Sequence, residues 1–548
     1  MIDNNTCFVM SMMFFHTLYS CCLAILGQYI YRYFLANYPN DDSHAWINIT
    51  SLESHIYESN QGTCMQNTST ENTTSAAEVW AQQRSADLIF QSTLWRAFPV
   101  IIVTYLFGLY ASRLNRRLVL FLSLFGGALH VVIYQAIIYR NLPEYWWYIS
   151  SFIVGIAGGT NVVGIILNLI ITEITEDNER SSRFVGIGAI FTAISAAATF
   201  GIGYYIQWRG YTDILWMAIG FEVLCIFTIL FLPKSTHSTS SPPIVDETTS
   251  LLTSSSVDFN IKTISPNKCS QYFDMCMIFS FRRHPPKKAI SLMIIIVSYI
   301  FHALASSSLA PMLWYLLGPP FCWTSKDLGY FSAISQIVIA VFSVLGMKIL
   351  NVLGANDPLI CAFGHVSFFV YALIIALSKN TWHLCLSLLV LPFSIYQSSL
   401  TISMLSKLLE VHERHNVFTL LTEINTIIVC FGSSFFNWLY ARTVTYEKNF
   451  TLLVGCGLCV VPFILNIYLY IINRRTDSEE RLSVAEHVNV NSLTLSLSNN
   501  VLTQDADLPG SFLSSVSLNN SHCLSHNQNE ITTRANSNSS INERHAFA

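Results

Sequence analysis

Charged residues are the scarcest component of this sequence. Asp, Glu, Lys and Arg make up 11% of its 548 residues, whereas soluble domains contain about 25%. So few charges cannot cover a water-soluble surface, and a net charge of -4 supplies no basic field that would attract nucleic acid. The composition therefore excludes an ordinary soluble domain, and no nucleic-acid partner is expected.

Signatures of nucleotide hydrolysis and of metal centres are also missing. The chain contains no Walker sequence, no HExxH and no paired CxxC motifs, so the sequence indicates no enzyme, no metal site and no cofactor. Most of its 14 cysteines lie inside apolar runs. The CGLC segment with Cys456 and Cys459 has thioredoxin-like spacing, but inside an apolar run we interpret it as two small hydrophobic residues.

Long apolar runs, in contrast, dominate the chain. A helix needs about 20 mostly apolar residues to cross the hydrocarbon, and such runs lie near residues 8–35, 88–111, 118–138, 147–172, 183–206, 212–232, 289–316, 327–350, 358–378, 382–408, 417–440 and 449–472. The pattern predicts an all-α membrane protein with twelve transmembrane helices in two six-helix bundles. Four glycines of the fourth run predict close helix packing: Gly155, Gly158, Gly159 and Gly164.

Polar segments divide the chain into four parts. Residues 1–232 are predicted to form the N-terminal bundle and residues 289–475 the C-terminal bundle. A segment rich in Ser, Thr and Pro at 233–288 and a tail rich in Ser and Asn at 476–548 are predicted to be disordered. Lys and Arg are commoner in the loops of one side, which predicts that both termini, the linker and the tail are cytosolic.

Two segments carry motifs for modification and sorting. The first outer loop, residues 36–87, contains three glycosylation sequons, which agree with a lumenal position; they begin at Asn48, Asn67 and Asn72. The central linker contains Glu247, Leu251 and Leu252 in the acidic dileucine spacing that sorting adaptors read. An adaptor is therefore an expected partner, and the predicted location is a lysosomal or endosomal membrane, with the plasma membrane as the alternative.

The loop after the second apolar run resembles the loop motif of the major facilitator superfamily, G-x-x-x-D-R-x-G-R-R/K. The segment GLYASRLNRR matches that motif at four positions, Gly108, Arg113, Arg116 and Arg117. Ser112 replaces the aspartate and Asn115 replaces the second glycine. The resemblance implies two bundles that alternate access around a midplane site, and a gating loop that the two departures weaken or rebuild. A basic loop that serves only topology is the alternative.

Three further segments, PFCWTSKDLGYFSA at 320–333, SMLSKLLEVHERHNVF at 403–418 and TEITEDNERSSRF at 172–184, resemble solute carrier family 46. That family includes the proton-coupled folate transporter and relatives linked to lysosomal export. The resemblance implies secondary active transport of a small polar or anionic organic solute, coupled to protons and embedded in membrane lipid. Cys322 lies in a segment similar to one that bears a disulfide partner in the family. Cys64 is the other cysteine placed in the lumen, so a Cys64–Cys322 disulfide is expected.

Several positions depart from the folate transporter within this resemblance. Its carboxylate of helix 5 aligns with Gly188, its aspartate of helix 4 with Gly159 and its arginine of helix 10 with Ile402. Its histidine of helix 7 aligns near Ala305, with His302 one turn earlier. Folate is therefore disfavoured, although folate symport stays open as an alternative. A receptor or scaffold that senses a solute without moving it is another.

Ionisable residues inside the apolar runs are few. They are costly in hydrocarbon and usually face a cavity or a partner; the set comprises Arg96, Glu222, His302, His365 and Glu423. Each is a candidate for a functional site. The alternative for His365 is a hydrogen-bonded packing residue, and the alternative for Glu222 is solvation near the interface.

Three of these residues are predicted to share one central cavity that binds the solute and a proton. Arg96 stays charged and can hold an anionic group, and an imidazole such as that of His302 ordinarily titrates at about 6.5. Glu423 is expected to pair with Arg96 or to carry the coupling proton. Asn161 and Gln336 add uncharged hydrogen-bonding groups. The alternative is that all five residues only stabilise helix packing.

Overall fold

The apolar runs fold as helices, because inside hydrocarbon each backbone N–H and C=O group must find its partner within the same segment. The structure is a computed structural model that describes residues 4–24, 26–38, 76–110, 115–140, 142–174, 180–231, 285–409 and 411–475. Every regular element in these ranges is helical. The predicted all-α class is therefore confirmed.

The helices follow the predicted runs closely. Those of residues 4–231 are α1 (Asn4–Leu23), α2 (Leu26–Ala36), α3 (Ala76–Tyr110), α4 (Arg116–Arg140), α5 (Tyr145–Ile156), α6 (Gly159–Ile174), α7 (Arg180–Arg209) and α8 (Thr212–Thr228). Those of residues 285–475 are α9 (Pro286–Ser307), α10 (Met312–Leu317), α11 (Ser325–Val352), α12 (Asp357–Leu377), α13 (Thr381–Ser387), α14 (Tyr396–Leu408), α15 (Val411–Thr443) and α16 (Phe450–Arg475). The α9 helix begins three residues before the expected boundary at 289, because a proline in the first turn suits a helix start.

Ten helices in the described ranges are long and apolar enough to cross a bilayer. The segments Thr381–Ser387 and Leu391–Leu408, bent by 48° at their junction, complete an eleventh span when they are taken together. The one remaining run, the fourth at 147–172, is divided between α5 and α6, and each of these is shorter than the roughly 20 residues that a span needs. Twelve continuous spans and cytosolic termini therefore stay predictions.

The division between α5 and α6 comes from two glycines in left-handed backbone conformations. Gly158 has a φ of 81° and Gly159 a φ of 51°, and residues in that region cannot continue a right-handed helix. The packing predicted for glycines of this run applies to Gly155, where a Cβ atom would stand 2.5 Å from Pro99 Cγ. One glycine therefore permits close packing, whereas the next two interrupt the helix.

The three largest hydrophobic cores of the described residues lie within residues 4–472, which pack as one unit. The joined core combines residues of both halves of the chain, among them Tyr29, Trp147, Tyr211, Trp314, Trp323 and Tyr440. The N-terminal core contains only residues between Phe8 and Ile229, and the C-terminal core only residues between Leu292 and Leu469. We call the side of the joined core the joined end, and the opposite side, where the two other cores stay separate, the split end. Of the second packing unit, 473–548, the structure describes only the end of α16.

Two pairs of long helices connect the halves. Helix α3 packs along α15, and α7 packs along α11. At the second contact, the backbones themselves meet: a Cβ atom on Gly203 would stand 2.8 Å from the Ser325 carbonyl oxygen and 3.0 Å from Gly329 Cα. Glycine is therefore required at this crossing. The boundaries of the two predicted bundles stay a prediction.

Candidate functional site

Arg96 lies in the middle of α3, on a face whose other residues are buried. Ser92 and Thr93, one turn before it, and Val100, one turn after it, are 7%, 8% and 4% exposed. Arg96 itself is exposed. An exposed guanidinium surrounded by buried neighbours on its own face points to an internal opening rather than to lipid.

The reach of the Arg96 charge supports this position. This charge influences the ionisation of four groups, namely Tyr19 of α1, His130 and Tyr134 of α4, and Cys430 of α15. These four residues belong to three helices from both halves of the chain. The charge of Arg96 therefore reaches groups in both halves of the chain, and its place in a central cavity stays a prediction.

Glu423 approaches the same region from the C-terminal half. It is half-buried on α15 and shares a helix face with the buried residues Thr426 and Cys430. Its charge, like that of Arg96, acts on the Cys430 thiol, and Cys430 packs against α3. Within the described residues no ion pair joins Arg96 to Glu423. Both charges therefore act on the same thiol, and no described ion pair neutralises either of them.

His302 has a partner within its own half. Its Nδ1 atom lies 3.2 Å from Nδ1 of His365, and the ring centroids are 5.0 Å apart. Asn466 Nδ2 lies 2.9 Å from His365 Nε2 and donates to Ser298 Oγ at 2.6 Å. Because a hydrogen bond between two imidazole nitrogens needs a proton on one and a lone pair on the other, the two Nδ1 atoms share a single proton.

The chemistry of this histidine pair is that of hydrogen bonds rather than of a metal. Ligand atoms of His302, His365 and Cys459 lie within 4.8 Å of one another. The Cys459 thiol, however, donates to the His365 carbonyl oxygen at 3.3 Å, and a metal-bound thiolate has no proton to donate. The arrangement can therefore hold and pass a proton.

No hydrogen bond among the described residues joins the two remaining predicted residues to these groups. Asn161 is exposed in the first turn of α6, and Gln336 is half-buried in α11. Asn466 was not among the residues predicted from the sequence, and His365 had a hydrogen-bonded packing role as its alternative. A signal was present for both, because each is a polar residue inside an apolar run. That all the predicted residues serve one site stays a hypothesis.

The basic loop motif is described only in part. Gly108 lies in the last turn of α3, Arg116 begins α4, and Arg113 lies outside the described residues. Asn115, at the position of the motif's second glycine, accepts a hydrogen bond from the Arg117 backbone N–H at 3.1 Å. Asn115 therefore acts as the N-cap of α4, a local role that explains this departure from the motif.

Several other predictions fall on residues outside the described ranges. They concern the three sequons, the sorting motif and one half of the expected disulfide: Asn48, Asn67, Asn72, Glu247, Leu251, Leu252 and Cys64. Cys322 is described and adopts a positive φ of 50°. The disulfide, the glycosylation and the sorting signal all stay predictions.

Helices long and apolar enough to cross a bilayer, together with paired contacts between the halves of the chain, define a class of protein. The sequence profile described as Major Facilitator Superfamily matches residues 73–433. The chain therefore belongs to the major facilitator superfamily and is a multi-pass membrane transporter. Among solved structures, the human organic anion transporter MFSD10 is 15% identical with a TM-score of 0.50, covering 84% of this chain and 99% of that one. A mutant of the nucleoside transporter NupG is 11% identical with a TM-score of 0.52, covering 84% and 100%. These likenesses concern the fold alone.

Closer relatives in sequence confirm the resemblance to solute carrier family 46. The lysosomal proton-coupled steroid conjugate and bile acid symporter SLC46A3 of Gallus gallus is 24% identical over 411 residues, which cover 74% of this chain and 84% of that protein. The same symporter of Bos taurus is 23% identical over 423 residues, covering 77% and 87%. The proton-coupled folate transporter of Rattus norvegicus is 23% identical over 360 residues, covering 66% and 73%.

Proposed function

We propose that this transporter is a proton-coupled symporter of amphipathic organic anions. The observation that carries the proposal is Arg96, an exposed cation among buried neighbours on α3 whose charge reaches groups of both halves. A guanidinium offers a planar pair of donors that suits a carboxylate or a sulfate. Relatives named for steroid conjugates and bile acids transport molecules that combine an apolar body with such a group.

The apolar part of the solute has surfaces to contact around the same opening. Ala97, Val100 and Cys430 form a small buried cluster between α3 and α15, and the rings of Phe98 and Phe431 meet edge to face 5.9 Å apart. An anion held by Arg96 at this crossing would therefore place its apolar body against the contact of the two halves. Rearrangement of that contact is what alternating access requires.

Proton coupling is assigned to the His302–His365 pair, with Glu423 as a second acceptor. The pair holds one proton between two ring nitrogens, and an imidazole can both accept and release a proton. Arg96 thus supplies an anion site in the N-terminal half, and His302 and Glu423 supply proton acceptors in the C-terminal half. Asn161 and Gln336 contribute hydrogen bonds to polar substituents of the solute.

The cellular location follows from the sorting motif and the relatives. Glu247, Leu251 and Leu252 have the spacing of an acidic dileucine signal, and the SLC46A3 relatives are named as lysosomal. An endolysosomal membrane is therefore the proposed site of action, where the acidic lumen supplies protons. Glycosylation of the first outer loop and a Cys64–Cys322 disulfide fit a loop that faces this lumen.

Transport in proteoliposomes tests the proposal, with labelled taurocholate as the anion and an acidic exterior. Arg96→Gln removes the cation, and loss of a charge-assisted hydrogen bond of about 1.5–3 kcal/mol predicts a decrease in transport efficiency of about 10- to 100-fold. His302→Gln and Glu423→Gln should flatten the dependence of transport on pH. Folate should not compete with taurocholate, and competition would favour folate symport.

A matched control is available on the same helix. Arg84 lies three turns before Arg96 and pairs with Glu144 at 2.6 Å, both half-exposed, so Arg84→Gln should keep near-normal transport. Equal losses in Arg96→Gln and Arg84→Gln would place the anion site elsewhere. Binding of taurocholate without uptake by the wild type would favour a receptor, the alternative that the altered loop at Ser112 and Asn115 supports.

A further inference from the structure

A second buried polar pair lies in the N-terminal half, outside the site described above. Glu222 of α8 is 1% exposed, and its Oε2 atom lies 3.7 Å from Nδ1 of His16 on α1. That distance is too long for a hydrogen bond. Neither atom has a hydrogen-bond partner within the described chain. A buried carboxylate oxygen and a ring nitrogen therefore face one another with a place for a proton between them.

The packing around this pair leaves space for the carboxylate and little else. A Cβ atom on Gly127 of α4 would stand 2.6 Å from Glu222 Oε1 and 3.0 Å from the Tyr19 hydroxyl. The Tyr19 ring stacks on the His16 ring with centroids 5.6 Å apart. Three helices thus enclose the pair, and the missing side chain of Gly127 creates its space.

The pair also lies at the depth where access changes from one side to the other. Along α8, Ala218 belongs to the joined core and Cys225 to the N-terminal core. Glu222 stands between them, one turn from each. A proton bound there can therefore be reached from either end as the two halves move.

The groups around the pair do not neutralise the negative charge of its carboxylate. Tyr19, Tyr134 and Cys225 are uncharged in their ordinary states at neutral pH, and the charge of Arg96 reaches Tyr19 together with that of Glu222. Without a bound proton, the pair carries a net charge of minus one in the membrane interior, which is costly. With one proton, its net charge is zero.

We propose that His16 and Glu222 form a proton-binding site that couples proton binding to anion binding at Arg96. The proton comes from water on the acidic side and forms an N–H bond on His16 or an O–H bond on Glu222. It leaves from the same bond into water on the other side, and no other bond changes. The inference rests on the proposed function for one point, that the ligand of Arg96 is an anion.

Electrostatics supplies the coupling. Tyr19 is influenced by the charges of both Arg96 and Glu222. Through the low-dielectric interior that these groups share, a free Arg96 favours the unprotonated, negative form of the pair. An anion that neutralises Arg96 removes this stabilisation, so the pair binds its proton more tightly. By reciprocity, the bound proton strengthens anion binding by the same factor. A linkage of this sign is the requirement for symport.

Glu222→Gln tests the site, because it keeps the size of the side chain and removes the proton acceptor. In proteoliposomes with labelled taurocholate, we expect accumulation driven by a pH gradient to fall at least about tenfold, while exchange at equal pH stays within about twofold of the wild type. His16→Gln should behave in the same way. His130→Gln is the control, because His130 is a buried histidine of the same half whose ring already bonds Ser150. Accumulation by Glu222→Gln at the wild-type level would overturn the coupling.

Infrared spectroscopy of the purified protein provides a readout independent of transport. We expect the carbonyl stretch of a protonated carboxyl group that responds to pH in the wild type and in Glu423→Gln, and that is lost in Glu222→Gln. If the wild type accumulates no taurocholate but this band is lost in Glu222→Gln, the proposed function fails and the proton site stands. The same band in the wild type and in Glu222→Gln overturns the proton site, whatever the transport result.

Discussion

The two ends of this transporter differ in how the halves of the chain meet. At the joined end, aromatic residues of both halves share one core, with Tyr211 donating to or accepting from Ser325 at 3.0 Å. At the split end, each half buries its own aliphatic core, and in the described residues no core cluster of that end combines the two. The two halves therefore share one hydrophobic core at the joined end and have separate hydrophobic cores at the split end.

This difference identifies the conformation as one end state of alternating access. A transporter of this superfamily exposes its central site to one side at a time, and a shared core at one end closes that side. With the predicted topology, the joined end faces the lumen and the split end faces the cytosol. The contacts across the joined end should then set the balance between the two states.

The largest expected effect comes from Gly203→Leu, which disrupts the close backbone contact between α7 and α11. Because the atoms that a side chain would meet are the Ser325 carbonyl oxygen and Gly329 Cα, no rotamer change can relieve the overlap. Overpacking of about 3 kcal/mol should shift the closure of the joined end by about 100-fold. Ala441→Cys, at a fully buried position of the joined core, reports the change as faster labelling by a membrane-impermeant maleimide.

Gly201→Leu is the matched control for this measurement. It lies two residues earlier on α7, and a Cβ atom there meets nothing within 4 Å. The labelling rate should therefore stay near that of the parent Ala441→Cys protein. Similar labelling of the two leucine variants would show that the contact of α7 with α11 does not keep the joined end closed.

A smaller effect is expected from Gln82→Leu, which removes a single hydrogen bond between the halves. Gln82 is fully buried, and its Nε2 atom donates to the Trp314 carbonyl oxygen at 2.8 Å. Trp314 O keeps a bond from the Gly318 backbone N–H, so the net loss should be about 1 kcal/mol, or about fivefold in the labelling of Ala441→Cys.

Gln135→Leu provides the comparison for this variant. Gln135 is another buried glutamine of the N-terminal half, and both polar atoms of its side chain lack partners in the described chain. Its replacement should leave labelling unchanged and raise thermal stability, because an unsatisfied buried amide is removed. If Gln135→Leu increased labelling as much as Gln82→Leu, the Gln82–Trp314 hydrogen bond would not be what keeps the joined end closed.

The sequence determined more of the fold than of the site, and the reason is physical. Apolar runs report burial in hydrocarbon directly, so the helices could be located from residue types alone. The interruption at Gly158 and Gly159 could not, because a glycine in a packed helix and a glycine at positive φ look the same in sequence. Likewise, the sequence shows that His302 is an ionisable residue inside an apolar run, where its burial costs free energy, but only the fold shows that His365 lies beside it.

The N-terminal half shows the same limit in another form. Glu222 was recognised as an ionisable residue in an apolar run, with solvation near the interface as the alternative, and the structure instead buries it. Glu222 faces His16 because α1 packs against α8, and these two helices are about 200 residues apart in the sequence. Pairings of this kind follow from tertiary structure, and no local pattern encodes them.

The smallest expected effect concerns Lys448, at the joined end between α15 and α16. Its ammonium donates to the Pro319 carbonyl oxygen at 3.1 Å, and burial lowers its pKa more than the charge of Glu78 raises it. Because the unfolded chain then binds the proton more tightly than the folded protein, stability should rise with pH between the lowered pKa and the ordinary value of about 10.4, and stay flat below. Lys448→Met should remove this alkaline gain. At neutral pH it should raise the free energy of unfolding by less than about 1 kcal/mol, because the charge is half-exposed, and so unfold at a slightly higher temperature. Thermal unfolding of both proteins across the alkaline range measures the difference. A lower midpoint for Lys448→Met at neutral pH would show instead that the bond to Pro319 and the attraction to Glu78 outweigh the burial of the charge.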